Sequence, residues 1–335
     1  MRRRALQQRP AVVRQRSVNT RSVDSATHWA ELDERGSPFA IRLLFAIYRT
    51  LGRAAFTVLL YPVVAYFFLT AGKARRASRE YLRAIRARCE ELGRPVPRGL
   101  TVFRHLVQFG HGMLDRVAIW ADAPPPHLVT AEDFALLEPF RTSGRGVLFI
   151  GSHHGNLEVL RAFGDKTRGM RINALVHTRN SPTLNSVLAA TSPQTLERMI
   201  EIDSLGPDSV AMLRDKLAAG EHIAMLADRV SVRHTERSLQ APFLGRPAPF
   251  PQGPFVLASL LECPVYLLFF LKIDGRYRVF VEPFADPLVL PRSERRETLE
   301  RAVERYAARL EEHCLMAPMQ WFNFFDFWGQ AGGRR

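Results

Sequence analysis

The chain has 335 residues, of which 47% are hydrophobic, and its 47 Lys and Arg outnumber its 33 Asp and Glu to give a formal net charge of +14. The length and apolar share are normal for a globular protein with a sizeable core, as one large domain with an appendage or as two modest domains. A surface this basic requires an anionic partner. The partner could be nucleic acid, anionic lipid, or an acidic protein or substrate.

The N-terminal end is strongly basic. Its first 22 residues contain seven arginines and no acidic residue, which accounts for half of the net charge. We predict a disordered basic arm over residues 1–27. No apolar run follows the arginines at the distance that a cleavable signal peptide requires, so none is predicted. The three cysteines are widely spaced and predict free thiols in a reducing compartment: they are Cys89, Cys263 and Cys314.

The most apolar segment runs from Ala54 to Gly72 and contains no charged residue. At about 1.5 Å per residue a helix of this length just reaches the hydrocarbon thickness of about 30 Å. Pro62 lies in its middle and basic residues flank both ends, so the positive-inside rule gives no orientation. A helix within one leaflet therefore fits as well as a crossing one. We predict membrane attachment, and the alternative is a buried helix of a soluble core.

Amphipathic helices surround this segment, and most of them carry basic residues on one face. Three are predicted: 37–55, 73–93 and 101–121. The proline run at 122–126 then predicts a domain boundary. Residues 28–122 would form a helical membrane-associating region, and residues 127–330 a separate domain.

After the boundary, short β-rich runs alternate with helical stretches. The predicted strands are 146–150, 172–177, 222–228, 264–273 and 277–284. The predicted helices are 156–163, 181–190, 208–220, 253–262 and 292–318. This alternation predicts an α/β fold with a central, mostly parallel sheet flanked by helices. The chain contains neither a glycine-rich phosphate loop nor a GxGxxG motif, so no nucleotide site is predicted.

The stretch "VLFIGSHHGNLEVLRAF" at 147–163 places two histidines at the end of a strand and a glutamate in the following helix. A zinc site is disfavoured because no HExxH motif or later ligand cluster completes the set. A serine nucleophile at Ser152 is disfavoured because the spacing differs from G-x-S-x-G. The remaining chemistry is a histidine base held by a carboxylate, and the alternative is that both histidines are surface or supporting residues.

A histidine base in this position needs a group that holds its ring. Glu158, in the first helical turn, could accept a hydrogen bond from Nδ1 of His153 and so define the tautomer. The imidazole could then take a proton from a hydroxyl or amine that attacks a carbonyl, and the helix N-terminus could stabilise the oxyanion. The spacing alone leaves the choice between His153 and His154 open.

The stretch "HHGNLE" resembles the H-x(4)-D/E signature of the lysophospholipid acyltransferase superfamily. The most similar subgroup comprises bacterial enzymes related to the lauroyl and myristoyl transferases of lipid A biosynthesis. The resemblance extends over residues 29–328 through four further stretches: "LADR" at 226–229, "APFLGRPAPFPQGPFVLA" at 241–258, "CPVYLLF" at 263–269 and "QWFNFFDFW" at 320–328. The apolar helix followed by "KARRASREYL" is also similar to the membrane segment of that family.

The resemblance implies a membrane-associated acyltransferase. The acyl group would pass from an acyl carrier protein or acyl-CoA thioester to a hydroxyl or amine of a lipid acceptor, without a cofactor or a metal. His153 would be the base and Glu158 its partner. The resemblance also implies substrate-binding roles for further residues: Arg179, Asp228 and Arg229 around the head groups, and Phe243, Gly245, Pro251, Gly253 and Pro254 in a substrate-lining loop. The alternatives are simple packing for Phe243 and the prolines, and surface charge for the two arginines.

The E-G-T-R element of the lysophospholipid branch is missing, which favours the lipid A side and leaves the acceptor open. We expect an anionic membrane surface and an acidic carrier protein as partners. The predicted location is the cytoplasmic face of the bacterial inner membrane, either single-pass or monotopic. A nucleic-acid-binding protein is the main alternative, but no zinc finger or RNA-binding signature supports it. A silent scaffold of the same fold is disfavoured by the intact His153 and Glu158.

Overall fold

The structure is a computed structural model that describes residues 38–120, 130–157, 169–176, 197–201, 206–230 and 237–329. The predicted basic arm at 1–27 and the proline run at 122–126 lie outside the described residues, as do the predicted helix at 181–190 and most of the one at 156–163.

A six-stranded sheet forms the centre of the described fold, in the order β3-β2-β4-β1-β7-β8. Its strands are β1 (Leu148–Gly151), β2 (Ile172–Val176), β3 (Met199–Glu201), β4 (His222–Leu226), β7 (Val265–Ile273) and β8 (Arg276–Ala285). Neighbouring strands pair in parallel, except that β8 is antiparallel to β7. The strand β1 is buried along its whole length, as expected for a parallel strand covered on both faces. The predicted α/β fold with a mostly parallel sheet is confirmed.

The strand order brings two distant parts of the chain together. β1 pairs directly with β4, and Gly151 lies opposite Leu226 in the register. Both strands run in the same direction, so the residues that follow them emerge at one edge of the sheet. This edge therefore holds both the His153 turn and the "LADR" segment.

Two further strands, β5 (Ser238–Phe243) and β6 (Arg246–Pro251), form a separate antiparallel hairpin. The resemblance implied a loop here and no strand was predicted, whereas the structure has two paired strands. A two-stranded ribbon consists of edge strands, where a missing N–H is tolerated. Leu244 and Gly245 connect the strands with φ of 51° and 76°, as a two-residue hairpin turn of type I′ requires.

Helices cover the sheet. They are α4 (Ala131–Ala135), α5 (Glu138–Thr142), α6 (Pro207–Ala218), α7 (Gly253–Leu261) and α8 (Arg295–Met316). α8 buries Leu299, Val303, Tyr306 and Leu310, which recur at steps of three and four and form one apolar face. This face joins the main hydrophobic core beneath the sheet.

Three helices precede the sheet: α1 (Pro38–Thr70), α2 (Gly72–Glu91) and α3 (Val102–Trp120). α1 is kinked at Gly52, which has φ of 76° and ψ of −174°. The segment Gly52–Thr70 is long and apolar enough to cross a membrane by length and composition. Its start and end differ by two residues from those of the predicted segment, because the kink and the break before α2 set its limits. The buried face of α2, which includes Tyr81 and Ile85, joins the core under the sheet.

Candidate active site

The turn after β1 positions the two histidines. Gly155 has φ of 80°, and a Cβ at this position would lie 2.1 Å from the carbonyl oxygen of Phe270, so only glycine fits. Its N–H donates to the carbonyl of Gln320 at 2.9 Å. His154 forms an isolated β-bridge with Trp321. The turn is therefore held between β7 and the C-terminal aromatic segment.

His153 is paired with Asp228, the residue that lies two positions after β4. The Nδ1 atom of His153 lies 2.7 Å from Oδ1 of Asp228, and the backbone N–H of His153 donates to Oδ2 at 2.9 Å. Because an ionised carboxylate only accepts hydrogen bonds, the proton of the neutral imidazole resides on Nδ1. Nε2 therefore keeps its lone pair, and the side chain of His153 is 28% exposed. This arrangement would allow His153 to accept a proton at Nε2.

Asp228 is fully buried and receives further hydrogen bonds. The indole N–H of Trp321 donates to Oδ2 at 2.9 Å, and the side-chain amide of Asn323 donates to the same oxygen at 3.4 Å. Burial opposes ionisation of Asp228, but the charge and hydrogen bond of His153 and the charge of Arg229 outweigh it and lower the pKa to about 2. The resemblance implied a head-group contact for this carboxylate, which stays a prediction; in the structure it accepts hydrogen bonds from His153.

The pKa of His153 is lowered from its usual value near 6.5. Burial is the largest cause, since it disfavours the imidazolium, and the positive charge of Arg229 acts in the same direction. Asp228 opposes both effects without overcoming them. At neutral pH the pair therefore consists of a neutral imidazole and a charged carboxylate.

His154 lies outside this chemistry. It has no exposed surface, and its Nε2–H donates to the carbonyl of Ala317 at 3.0 Å. Burial lowers its pKa to about 3. Of the two histidines, His153 is therefore the better candidate for a base, because its side chain is partly exposed. Ser152 is also buried, and its hydroxyl accepts the N–H of His154, which is unlike an exposed nucleophile.

Two predicted site residues, Glu158 and Arg179, lie outside the described residues. The sequence assigned the hydrogen bond from Nδ1 of His153 to Glu158, but in the structure Asp228 accepts it. The assignment of this particular bond is therefore corrected. Within the described part of the chain, no three His, Cys, Asp or Glu side chains converge as metal ligands would.

Arg229 connects the site to the C-terminal segment. Its Nε donates to Oδ1 of Asn323 at 2.9 Å and its Nη2 to the carbonyl of Phe322 at 3.1 Å. Phe322 in turn donates its N–H to the carbonyl of His153 at 3.1 Å. Burial lowers the pKa of Arg229 to about 10, so the guanidinium stays charged at neutral pH. Arg229 is thus a half-buried part of the site, which excludes the surface-charge alternative.

Four residues of the site were missed by the sequence reasoning: Arg116, Asn156, Trp321 and Asn323. Arg116 lies on α3, and its Nε donates to Oδ1 of Asn156 at 2.8 Å. Its charge contributes to the low pKa of His153. The stretch "QWFNFFDFW" could have indicated Trp321 and Asn323, because it places an indole N–H and a side-chain amide among phenyl rings. Buried polar groups of this kind need partners.

A buried polar network supports the turn from the other side. Asn156 donates to the carbonyl of Gly112 at 2.9 Å and to the hydroxyl of Tyr277 at 3.2 Å. Tyr277 donates to Asp115 at 2.9 Å, and the side chain of Asp115 is only 1% exposed. Asp115 also binds Lys272 at 2.9 Å and Arg53 at 2.7 Å. These contacts connect the first turn of the apolar segment to the turn after β1 that carries His153, called the catalytic turn below.

The hairpin residues and those that follow them differ in their surroundings. Phe243 has no exposed surface and packs against Trp321 with ring centroids 5.2 Å apart. Gly245 lies at the hairpin turn beside Glu91. Pro254 is buried at the start of α7, next to Gly253. For Phe243 and Pro254 the structure favours the packing alternative, and substrate contacts of Gly245, Pro251 and Gly253 stay a prediction.

The comparison with known families identifies the family of this chain. Residues 103–329 match the family described as bacterial lipid A biosynthesis acyltransferase. The match covers about two thirds of the chain and includes the whole sheet, His153, Asp228 and Trp321. No curated protein matches the chain at a significant level. Because the match covers more than half of the chain and spans the whole sheet, the chain belongs to the bacterial lipid A biosynthesis acyltransferase family.

Proposed function

We propose that this acyltransferase transfers a fatty acyl group from a thioester donor to a hydroxyl or amine of a membrane lipid, with His153 as the general base and Asp228 as the group that orients it. The observation that carries the proposal is the 2.7 Å pair between Nδ1 of His153 and Oδ1 of Asp228. It leaves Nε2 as the proton acceptor and provides a carboxylate for the imidazolium that forms.

The reaction balances without any further group. Nε2 of His153 accepts the proton of the acceptor hydroxyl or amine as that atom attacks the thioester carbonyl. The tetrahedral intermediate then collapses with cleavage of the carbon–sulfur bond. The thiolate leaves and takes the proton back from the imidazolium. The products are an acylated acceptor and a free thiol, and because the thioester is already activated the chemistry needs no cofactor.

The charges around His153 suit the anionic stages of this reaction. Arg229 and Arg116 are half-buried, and both lower the pKa of His153 by their positive charge. The same charges favour a developing oxyanion or thiolate, and partial burial strengthens the interaction relative to water.

The proposed setting is the cytoplasmic face of the inner membrane. The apolar segment Gly52–Thr70 and the net charge of +14 support attachment to an anionic leaflet, where a lipid acceptor would reside. The same charge supports an acidic carrier protein or a phosphorylated thioester as donor. Glu158 and Arg179 remain proposed site residues.

The test uses purified protein in detergent with isotope-labelled acyl-carrier-protein and acyl-CoA thioesters and a total lipid extract, with products identified by mass spectrometry. The wild type should form a new acylated lipid. His153→Gln, whose amide can still donate to Asp228, should fold normally and lose at least about 10³-fold in rate. A normal rate in this variant would refute the proposed base. No thioester consumption by the wild type with any donor would favour a silent scaffold.

A further inference from the structure

The apolar segment Gly52–Thr70 has two different faces. Phe56, Leu60 and Val64, spaced four residues apart, are buried. The opposite face is exposed and apolar, and at 100° per residue it covers an arc of roughly 200°. Its large side chains are Val58, Leu59, Tyr61, Val63, Tyr66 and Leu69, with exposures from 39% to 71%. An apolar face of this size is expected to be covered by a partner.

The buried face packs against α3 along the whole length of the segment. At one end Arg53 pairs with Asp115 at 2.7 Å. In the middle Leu60 contacts Gly110 so closely that a Cβ there would lie 2.4 Å from Cδ1 of Leu60. At the other end Phe68 and Phe103 pack edge to face at 5.7 Å. The residue numbers rise in one helix as they fall in the other, so the two helices are antiparallel.

The other side of α3 packs against the C-terminal aromatic segment and the turn that carries His153. His105 contacts the carbonyl of Trp321 at 3.1 Å, and Phe109 packs on Phe322 at 5.3 Å. The carbonyl of Gly112 accepts a hydrogen bond from Asn156 in the catalytic turn. The segment, α3 and the site are therefore layers of one packed body.

This packing is incompatible with a solitary crossing helix. A crossing helix is surrounded by hydrocarbon, but here one side of the segment is occupied by α3 from end to end. Insertion across the bilayer would carry the polar contacts between the two ends of α3 to hydrocarbon depth, including those of His105 with Trp321 and of Gly112 with Asn156, and polar groups are unfavourable there. Insertion on its side requires only the exposed apolar face to leave water.

Charge beside this face indicates what covers it. α2 begins two residues after Thr70, and Lys73, Arg76, Arg79 and Arg83 are exposed on it. An apolar face followed directly by exposed cations matches the hydrocarbon and the anionic head groups of a leaflet. We infer that Gly52–Thr70 lies side-on in one anionic leaflet, without crossing it, and holds the His153 site at the membrane surface. The inference rests on the proposed membrane-bound function and adds the mode of attachment.

The first test determines whether the chain before the segment and the domain after it lie on the same side of the membrane. Ser37→Cys, before α1, and Arg276→Cys, at the exposed tip of the β7–β8 hairpin, are expressed separately and treated with a membrane-impermeant maleimide. Cys89, Cys263 and Cys314 are buried and give little background. Both labels should react in inverted inner-membrane vesicles, and neither in spheroplasts. Reaction of the two positions from opposite sides would show a crossing helix and overturn the inference.

The second test addresses the exposed face. Val58→Glu should reduce sedimentation with phosphatidylglycerol-containing vesicles by at least about tenfold, because a charge replaces a lipid-facing valine. Val289→Glu is the matched control, since Val289 is 61% exposed on a different surface, and its binding should not change. Wild-type binding by Val58→Glu would refute the lipid contact.

The detergent assay separates this inference from the proposed reaction. Val58→Glu should keep its acyl transfer rate in detergent, whereas His153→Gln should lose it. If Val58→Glu bound vesicles normally while the wild type acylated lipid, the mode of attachment would be wrong and the reaction would stand. If the wild type did not bind vesicles at all, both the inference and the proposed membrane location would fail.

Discussion

At the scale of single residues, the site keeps the carboxylate of Asp228 charged and the imidazole of His153 neutral at the same pH. Asp228 is fully buried and has a pKa lowered to about 2, mainly because His153 and Arg229 oppose the effect of burial. The pKa of His153 is lowered by burial and by Arg229. The carboxylate is thus charged and the imidazole neutral under the same conditions, which is the state in which the imidazole can accept a proton.

Replacement of Asp228 by Asn should reduce kcat by about 10³-fold with little change in KM, because the amide no longer selects the Nδ1–H tautomer or stabilises the imidazolium. Asp286→Asn, which changes an exposed aspartate, should leave the rate unchanged. The measurement is steady-state kinetics with the labelled thioester. Equal rates for Asp228→Asn and wild type would show that the pair has no role in the reaction.

The rate should also depend on pH in a defined direction. A base works in its neutral form, so kcat/KM should fall as pH decreases, with a midpoint below 6.5 because the pKa of His153 is lowered. Arg229→Gln removes a positive charge, makes the imidazolium less unfavourable, and should move the midpoint to higher pH. Arg229→Lys keeps the charge and should not. A shift of the Gln variant to lower pH would contradict this account.

At the scale of elements, the catalytic turn is held by parts of the chain that are far apart in sequence. Asn156 connects the turn to Tyr277 on β8 and to Gly112 on α3, and Tyr277 continues to Asp115. Asp115 in turn pairs with Arg53 and Lys272. A polar network with this degree of burial specifies one arrangement of the helices relative to the turn.

Asp115→Asn should lower the free energy of unfolding by about 3 kcal/mol, because it removes the charge between two partly buried cations. The reduced stability should be accompanied by a lower acylation rate, since the support of Asn156 is lost. Chemical denaturation measures the first effect and the detergent assay the second. Asp286→Asn breaks an exposed pair with Arg145 and should change stability by less than about 0.5 kcal/mol. Equal stabilities of the two variants would exclude a structural role for the network.

The elements also show where sequence reasoning succeeds and where it fails. The five predicted strands correspond to β1, β2, β4, β7 and β8, because runs of buried apolar residues are a local signal. The β5–β6 hairpin was missed because proline suppresses the strand signal even where an edge strand tolerates it. Asp228 was not recognised as a partner of His153 because it is 75 residues away, whereas Glu158 is close in sequence.

At the scale of the whole molecule, several buried histidines determine the response to acid. Burial lowers the pKa of His105 to about 4, of His154 to about 3 and of His222 to about 4. The unfolded chain takes up these protons near pH 6.5, so below this pH the unfolded state binds more protons than the folded state. Stability should therefore fall as pH decreases from about 6.5 to 4.

Thermal unfolding followed by circular dichroism should show this loss, with a nearly constant midpoint above pH 7 and a steep decrease below pH 6. His222→Gln removes one of the titrating groups and should make the decrease less steep. An unfolding temperature that is independent of pH between 6.5 and 4.5 would contradict the assignment of neutral buried histidines.

The net charge should act on membrane binding. Deletion of residues 1–25 removes seven arginines, each worth about 1 kcal/mol near an anionic surface. Vesicle binding should become weaker and less sensitive to salt, while the acylation rate in detergent should not change. Sedimentation at two salt concentrations measures the effect. Unchanged binding by the deletion variant would refute a membrane role for the arm.

The sequence by itself determined the α/β fold, the position of His153 after a buried strand and the apolar segment before the catalytic unit. All three are local patterns of hydrophobicity and spacing, which a chain expresses without its tertiary contacts. Only the tertiary structure decided that Asp228 and Trp321 complete the site, and that the apolar segment packs on α3. Asp228 and Trp321 are 93 positions apart, and contacts of this kind depend on strand order and helix register, which no local pattern encodes.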